Sequence, residues 1–171
     1  MTPEQRAARL RLVALDVDGV LTDGRLYYGP QGEALKVFDV RDGHGIKMLL
    51  NHGVEVAILS ARSSEIVGAR ARELGIGRVL QGRGDKALAW TELLRDTGVG
   101  AEQAGFIGDD LPDLPVLEQA GFAATVADAR DEVKCVAHWI AGQAGGRGAV
   151  RAFAEFILRA KGVDFAAMTR G

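Results

Sequence analysis

The chain has 171 residues, of which 47% are hydrophobic, with a formal net charge of −2 at pH 7 and one cysteine. That length suits one domain with a sizeable core. The charge excludes the basic footprint of a nucleic-acid binder, and a single thiol excludes an internal disulfide, which fits a reducing compartment.

The opening residues carry no long apolar run, so neither a signal peptide nor a membrane span is expected, and the cytoplasm is the expected location. The first strong element is Leu12-Val13-Ala14-Leu15, an apolar run that reads as a buried parallel strand. Residues 25–38 hold two β-leaning runs around Gly29-Pro30-Gln31-Gly32, which predicts a hairpin. Asp42 is the expected cap of a helix that runs to about Asn51, and 54–59 is a second buried strand. A helix over 63–74, a short strand over 78–81 and a helix over 85–97 follow. A fourth strand spans 104–107, a short helix 114–120 and a fifth strand 122–126. Residues 136–140 read as a sixth strand and 148–161 as the last helix, before a loose tail. This alternation predicts an α/β fold, a three-layer α/β/α sandwich around a mostly parallel, Rossmann-like sheet. Cys135 reads as a small buried hydrophobe, Trp90 and Trp139 as core or interface anchors, and the scattered His44, His52 and His138 as structural.

Chemistry concentrates where strands end. Asp16 and Asp18 follow the first strand, and residues two apart on an extended chain face the same way. Two convergent carboxylates cost free energy unless a cation or proton separates them, which points to a divalent metal and an acid/base role. Ser60 with Arg62 follows the second strand, Lys86 opens a helix, and Asp109, Asp110 and Asp113 follow the fourth strand. Parallel strands gather their carboxyl ends on one edge, so these groups can meet there. Taken singly each has a plainer reading: Ser60, Asp110 and Asp113 as helix caps, Lys86 as a solvated lysine.

The order of these motifs resembles the haloacid dehalogenase superfamily of phosphotransferases. The matching segments are Asp16-Val17-Asp18-Gly19-Val20-Leu21-Thr22, Ile58-Leu59-Ser60-Ala61-Arg62, Lys86, and Gly108-Asp109-Asp110-Leu111-Pro112-Asp113. The resemblance implies that Asp16 is a nucleophile, Asp18 a general acid and base, and Ser60 and Lys86 phosphoryl-binding groups. Asp16, the Asp18 carbonyl and Asp109 would hold Mg²⁺, with Asp110 and Asp113 as further ligand or water-positioning candidates. The gaps from Asp18 to Ser60 and from Ser60 to Lys86 are too short for an inserted cap domain, so a capless fold with a β-hairpin flap at 24–38 is expected.

The hairpin segment, Leu80-Gln81-Gly82, and the run from Ala144 to Arg151 narrow the resemblance to the 3-deoxy-D-manno-octulosonate 8-phosphate (Kdo 8-phosphate) phosphatase family. That implies a Mg²⁺-dependent homotetramer acting on a small anionic phosphosugar acid in lipopolysaccharide biosynthesis, with hairpins and tails completing sites across subunits. Carried over residue by residue, the substrate contacts are Asp18, Asp39, Val40, Arg41, Asp42, Gly43, Lys47, Arg62, Arg70 and Lys86. The plainer reading of Arg70 is a solvated helix face. Arg147, in a Gly-rich run, is either a substrate-carboxylate contact or a surface residue opening the last helix. The chain departs from the family in Ser60-Ala61-Arg62, where Thr-Gly-Arg is frequent, in Asp39 for Asn, and in Lys47 for Arg. Other sugar-acid phosphates are the rival substrates, and a non-catalytic oligomerisation module is the rival function. The expected organisation is one phosphatase domain over 1–171 with a tail at 162–171.

Overall fold

The computed structural model describes residues 1–165; the rest of the expected tail, 166–171, lies outside the described residues. Its centre is a six-stranded sheet in the order β5-β4-β1-β6-β7-β8. The strands are β1 (Leu12–Leu15), β4 (Glu55–Leu59), β5 (Arg78–Leu80), β6 (Ala104–Gly108), β7 (Phe122–Thr125) and β8 (Trp139–Ile140). Every pairing in this sheet is parallel, and all four residues of β1 are fully buried, as a strand covered on both faces requires. The separate hairpin pairs β2 (Tyr27–Gly29) with β3 (Gly32–Leu35) between β1 and α2 (Val40–Asn51).

Helices cover the sheet in two groups. On one side α7 (Ala149–Ala160) packs on α2 and on α1 (Pro3–Ala8), and α2 meets α3 (Glu65–Leu74). On the other, α5 (Leu114–Leu117) packs on α4 (Lys86–Thr97) and α6 (Asp131–Val136). Aromatic side chains fix both layers. Trp90 of α4 meets Phe106 of β6 edge-on at 6.2 Å, while Phe122 of β7 stacks on Phe153 of α7 at 6.0 Å. His138 accepts the Ala123 amide at 2.8 Å, and the His52 ring lies 2.8 Å from the Met48 carbonyl, so both serve backbone structure. None of the described helices is long and apolar enough to cross a membrane.

The structure adds one helix and corrects three local expectations. Residues 3–8 form α1, capped by Thr2 and Gln5 in a reciprocal box with Pro3 in the first turn. Helix α2 starts earlier than expected: its cap is Asp39, whose side chain accepts from the Arg41 amide at 2.7 Å, and Asp42 lies inside its first turn. The expected strand over 136–140 shrinks to Trp139–Ile140, because Asp131–Val136 winds into α6. Cys135 is exposed there, since α6 turns Val133 inward instead.

The final loop binds the first. The Gly146 amide donates to the Val20 carbonyl at 2.9 Å, and a Cβ on Gly145 would lie 1.8 Å from the Gly19 oxygen. Only a residue without a side chain lets these two backbones approach so closely.

Candidate active site

Register places the chemistry. Leu15 pairs with Ile58 of β4 and with Ile107 of β6. Asp16, Ser60 and Asp109 each stand just beyond the end of one of these three adjacent strands. The strand order reverses at β1, with chain-later strands on both sides, and such a switch point opens a crevice at the carboxyl edge. Here the crevice is a cleft of about 340 Å³ lined by Asp16, Asp18, Ser60, Arg62, Lys86 and Asp109, together with Asp110 and Asp113.

The floor of the cleft is a buried lysine between carboxylates. Lys86 Nζ lies 2.8 Å from Asp16 Oδ1 and 2.5 Å from Asp113 Oδ1. Burial pulls the lysine pKa down, but the charges of Asp16 and Asp113 outweigh it and the net shift is upward. Lys86 is therefore a fixed cation and not a solvated surface residue. Burial, then the Asp113 charge, pushes Asp16 up to about 6, against the pull of Lys86. Burial, then Asp16 and Asp113, pushes Asp109 up to about 8. A site that raises two carboxylates in this way lacks positive charge.

Oxygen geometry fits a hard divalent cation. One carboxylate oxygen from each of Asp16, Asp109 and Asp113 lies within 4.8 Å of the others. Asp109 Oδ1 is buried without a hydrogen-bond partner among the described residues, which is costly unless something binds it. Asp113 differs. Its Oδ1 takes Lys86, and its Oδ2 accepts the amides of Asp109 and Asp110 at 2.9 and 3.2 Å. With both oxygens engaged, Asp113 braces the loop and the lysine instead of offering a free ligand atom. Asp110 is an exposed cap on the Leu111 amide. Gly19 completes the enclosure: it has φ +94°, and a Cβ there would lie 2.1 Å from Asp109 Oδ2.

Above this floor the groups come from loops. Arg62 Nε stands 3.8 Å from Asp18 Oδ2, and Ser60 Oγ accepts the Arg62 amide at 3.3 Å. The hairpin of the same chain reaches in. Lys36 pairs with Asp18 and, at 3.0 Å, with Glu33; Glu33 accepts from Ser64 Oγ; and Arg62 donates to the Tyr28 hydroxyl at 3.1 Å. Sequence reasoning gave Lys36, Glu33 and Tyr28 no role. Their neighbours Leu26, Leu35 and Val37 are exposed, so nothing local marks Lys36 as a side chain only 1% exposed.

The remaining expected contacts lie beside the cleft. Val40 and Arg70 line an adjoining hollow of about 450 Å³, which Lys36 also borders. Arg70 lies over the Phe38 ring at 5.9 Å and pairs with Glu73 at 2.8 Å, so it is held and not freely solvated. Lys47 is exposed on α2, where its charge helps hold the Glu73 carboxyl below its usual range, behind the larger effect of Arg70. Asp39 is neutralised by Arg41 at 2.6 Å, which offsets the extra negative charge at that position. Gly43 is buried against Arg70. Asp42 does not face the cleft. It is buried and accepts the amides of Gly148 and Arg151 at 3.3 and 2.7 Å, where α7 begins. Arg147 is exposed, with a long 3.8 Å approach to Asp23.

The haloacid dehalogenase-like hydrolase family profile matches residues 73–153, which hold Lys86 and the Asp109 loop. The 3-deoxy-D-manno-octulosonate 8-phosphate phosphatase of Yersinia pestis is 46% identical over 157 residues, covering 92% of this chain and 84% of its own length. This chain belongs to the Kdo 8-phosphate phosphatase family. Solved members of that family share its fold. The enzyme from Moraxella catarrhalis, in complex with magnesium ion, phosphate ion and Kdo, superposes with a TM-score of 0.93 at 40% identity, covering 98% of this chain and 95% of that one. The cobalt-bound enzyme from Haemophilus influenzae superposes with a TM-score of 0.94 at 42% identity, covering 98% of this chain and 100% of that one. Both relatives hold a divalent metal, in keeping with the donor set around Asp109.

Proposed function

We propose that the protein hydrolyses 3-deoxy-D-manno-octulosonate 8-phosphate to Kdo and phosphate, with Mg²⁺ as cofactor, in the cytoplasm as part of lipopolysaccharide biosynthesis. The observation that carries this reading is the convergence of Asp16, Asp18, Ser60, Lys86 and Asp109 on one cleft, with one buried Asp109 oxygen left for a cation. The Yersinia pestis and Moraxella catarrhalis relatives support the choice of sugar acid.

Asp16 Oδ attacks phosphorus and forms an aspartyl-phosphate as the P–O bond to the sugar breaks. Asp18 gives its proton to the departing alkoxide, then takes one from the water that splits the aspartyl-phosphate. Asp16, Asp109 and the Asp18 carbonyl would hold Mg²⁺, which would supply positive charge to phosphoryl oxygens that otherwise repel the nucleophile. Lys86, 2.8 Å from Asp16 Oδ1, balances the charge that develops there. At 4 Å a unit charge is worth roughly 4 kcal/mol at an effective dielectric near 20. Ser60 donates to a phosphoryl oxygen. Arg62, on the cleft, and Arg70, on the hollow beside it, are the cations we assign to the carboxylate and hydroxyls of the sugar.

The open cleft and the exposed Leu26, Tyr28, Leu35 and Val37 of the hairpin support assembly into a homotetramer, in which neighbouring hairpins cover one another and close the sites. The test is a phosphate-release screen over Kdo 8-phosphate, nonulosonate 9-phosphates and hexose phosphates, with and without Mg²⁺. Kdo 8-phosphate is expected to give the highest kcat/KM, and Asp16→Asn to abolish release while leaving assembly intact. A wild-type protein that releases phosphate from none of them overturns the reading in favour of an oligomerisation module.

A further inference from the structure

We infer that Lys36 is a positioning residue for acid–base catalysis: from the hairpin, it holds the Asp18 carboxylate where a proton can pass to and from the reacting oxygen. This rests on the phosphatase reading above.

Three observations carry it. First, the Lys36 side chain is only 1% exposed although it grows from the edge of a hairpin whose neighbouring side chains face solvent. A buried ammonium is kept only where it is paired, and its partners are Asp18 and Glu33. Second, the contact continues. Glu33 accepts from Ser64 Oγ, and Ser64 caps α3 just after β4. Asp18, Lys36, Glu33 and Ser64 thus form one bridge from the end of β1 to the end of β4, spanning the mouth of the cleft. Third, Asp18 has no comparable holder among the other described residues. Its other cationic neighbour, Arg62, stands at 3.8 Å, is 42% exposed and donates instead to the hairpin's own Tyr28. Without Lys36, Asp18 would be free to turn toward solvent or toward the other carboxylates.

The role is separable from simple support of the hairpin, because Asp18 acts on two different oxygens. In the first half-reaction Asp16 Oδ bonds to phosphorus, the P–O(alkyl) bond breaks, and the Asp18 proton moves to the alkoxide. In the second, water oxygen bonds to phosphorus, the P–O bond to Asp16 breaks, and a water proton returns to Asp18. An alkoxide needs the proton, whereas p-nitrophenolate leaves without it. A misplaced Asp18 therefore slows both halves with an alkyl phosphate, but only the second half with p-nitrophenyl phosphate.

The experiment compares wild type, Lys36→Met and Lys36→Arg on Kdo 8-phosphate (or whichever sugar phosphate the wild type hydrolyses) and on p-nitrophenyl phosphate under rapid mixing, both with Mg²⁺. For Lys36→Met, kcat on the alkyl phosphate should fall by about 10–100-fold, part of the range attributed to general acid–base catalysis, with KM little changed. On the aryl phosphate, nitrophenolate should appear in a burst as fast as in wild type within about threefold, followed by slow turnover. The burst amplitude counts competent sites, so misfolding is not mistaken for lost chemistry. Lys36→Arg, which keeps the charge, should recover part of the alkyl rate. An aryl burst slowed in the same proportion as alkyl turnover, unchanged rates on both substrates, or an effect confined to KM overturns the assignment. Wild-type turnover of another alkyl phosphate in place of Kdo 8-phosphate would instead fail the sugar assignment and leave this comparison intact. Should Lys36→Met not fold, Lys36→Gln carries the same measurement.

Discussion

The floor of the cleft and the hairpin above it solve the same problem, holding charged groups in place, by opposite means. Lys86, Asp16, Asp109 and Asp113 stand on strand ends and a helix start whose register is fixed by the parallel sheet, and all but Asp109 are nearly inaccessible. The hairpin has two short strands and several exposed apolar side chains, and it reaches the cleft through single polar ties. The difference teaches where constancy and variation can reside. The phosphoryl-transfer groups are built into the sheet, whereas the hairpin is tied to them by contacts that can change without disturbing the core.

The sharpest way to break this comparison is at Lys86. Lys86→Met removes a fixed cation beside the nucleophile and should lower kcat by about 10²–10³-fold, as loss of a preorganised electrostatic group does. It also leaves Asp16 and Asp113 facing each other, so a chemical denaturation curve should show destabilisation of about 3–5 kcal/mol unless Mg²⁺ is present. A stable, active variant would mean the floor is not set by charge.

Next in size is the pH response of the floor. Because burial and neighbouring acids push Asp109 up to about 8 and Asp16 up to about 6, the metal-free fold binds more protons than the unfolded chain between pH 4 and 8. Its stability should therefore fall as pH rises through that window. Mg²⁺ binding must expel those protons, so apparent affinity should rise between pH 6 and 8 by up to about tenfold per unit, with proton release detectable by calorimetry in buffers of different ionisation enthalpy. Affinity that is flat across this range would contradict the geometry.

For the hairpin, Leu26→Ser, Tyr28→Ser and Val37→Ser combined should lower the assembly state seen by light scattering while thermal stability of the isolated subunit changes by less than about 1 kcal/mol. A tetramer that persists would place the subunit contacts elsewhere. The smallest effect belongs to Asp42. Asp42→Ala removes two amide contacts at the start of α7 and should cost about 1–3 kcal/mol in denaturant, with kcat/KM retained where the fold holds. A loss of substrate affinity without loss of stability would return Asp42 to the substrate face.

Much of the floor was legible because it depends on short-range order. An apolar run followed by Asp-x-Asp, and another followed by Gly-Asp, name strand ends directly, and parallel pairing does the rest. Capping carried less reliably. Thr2-Pro3-Glu4-Gln5 held a complete helix start that periodicity over so few residues could not show, and Asp42 reads as a cap until the structure shows it facing α7 with Asp39 in the capping place. The short Asp131–Val136 segment carries both helix and strand tendencies, and packing on α5 decides it. Lys36 was illegible for a different reason. Its partner lies 18 residues away across a hairpin, and no local pattern states how far a hairpin folds back.

The contact between the Gly145–Gly146 backbone and the Gly19–Thr22 turn has a consequence for how the enzyme comes into being. The loop that carries the nucleophile leaves the ribosome well before the piece that clamps it. A nascent chain that stops short of Gly145 would hold Asp16, Asp18, Lys86 and Asp109 and still lack the backbone that closes this turn. The turn beside the nucleophile is therefore completed only once the loop before α7 has been made.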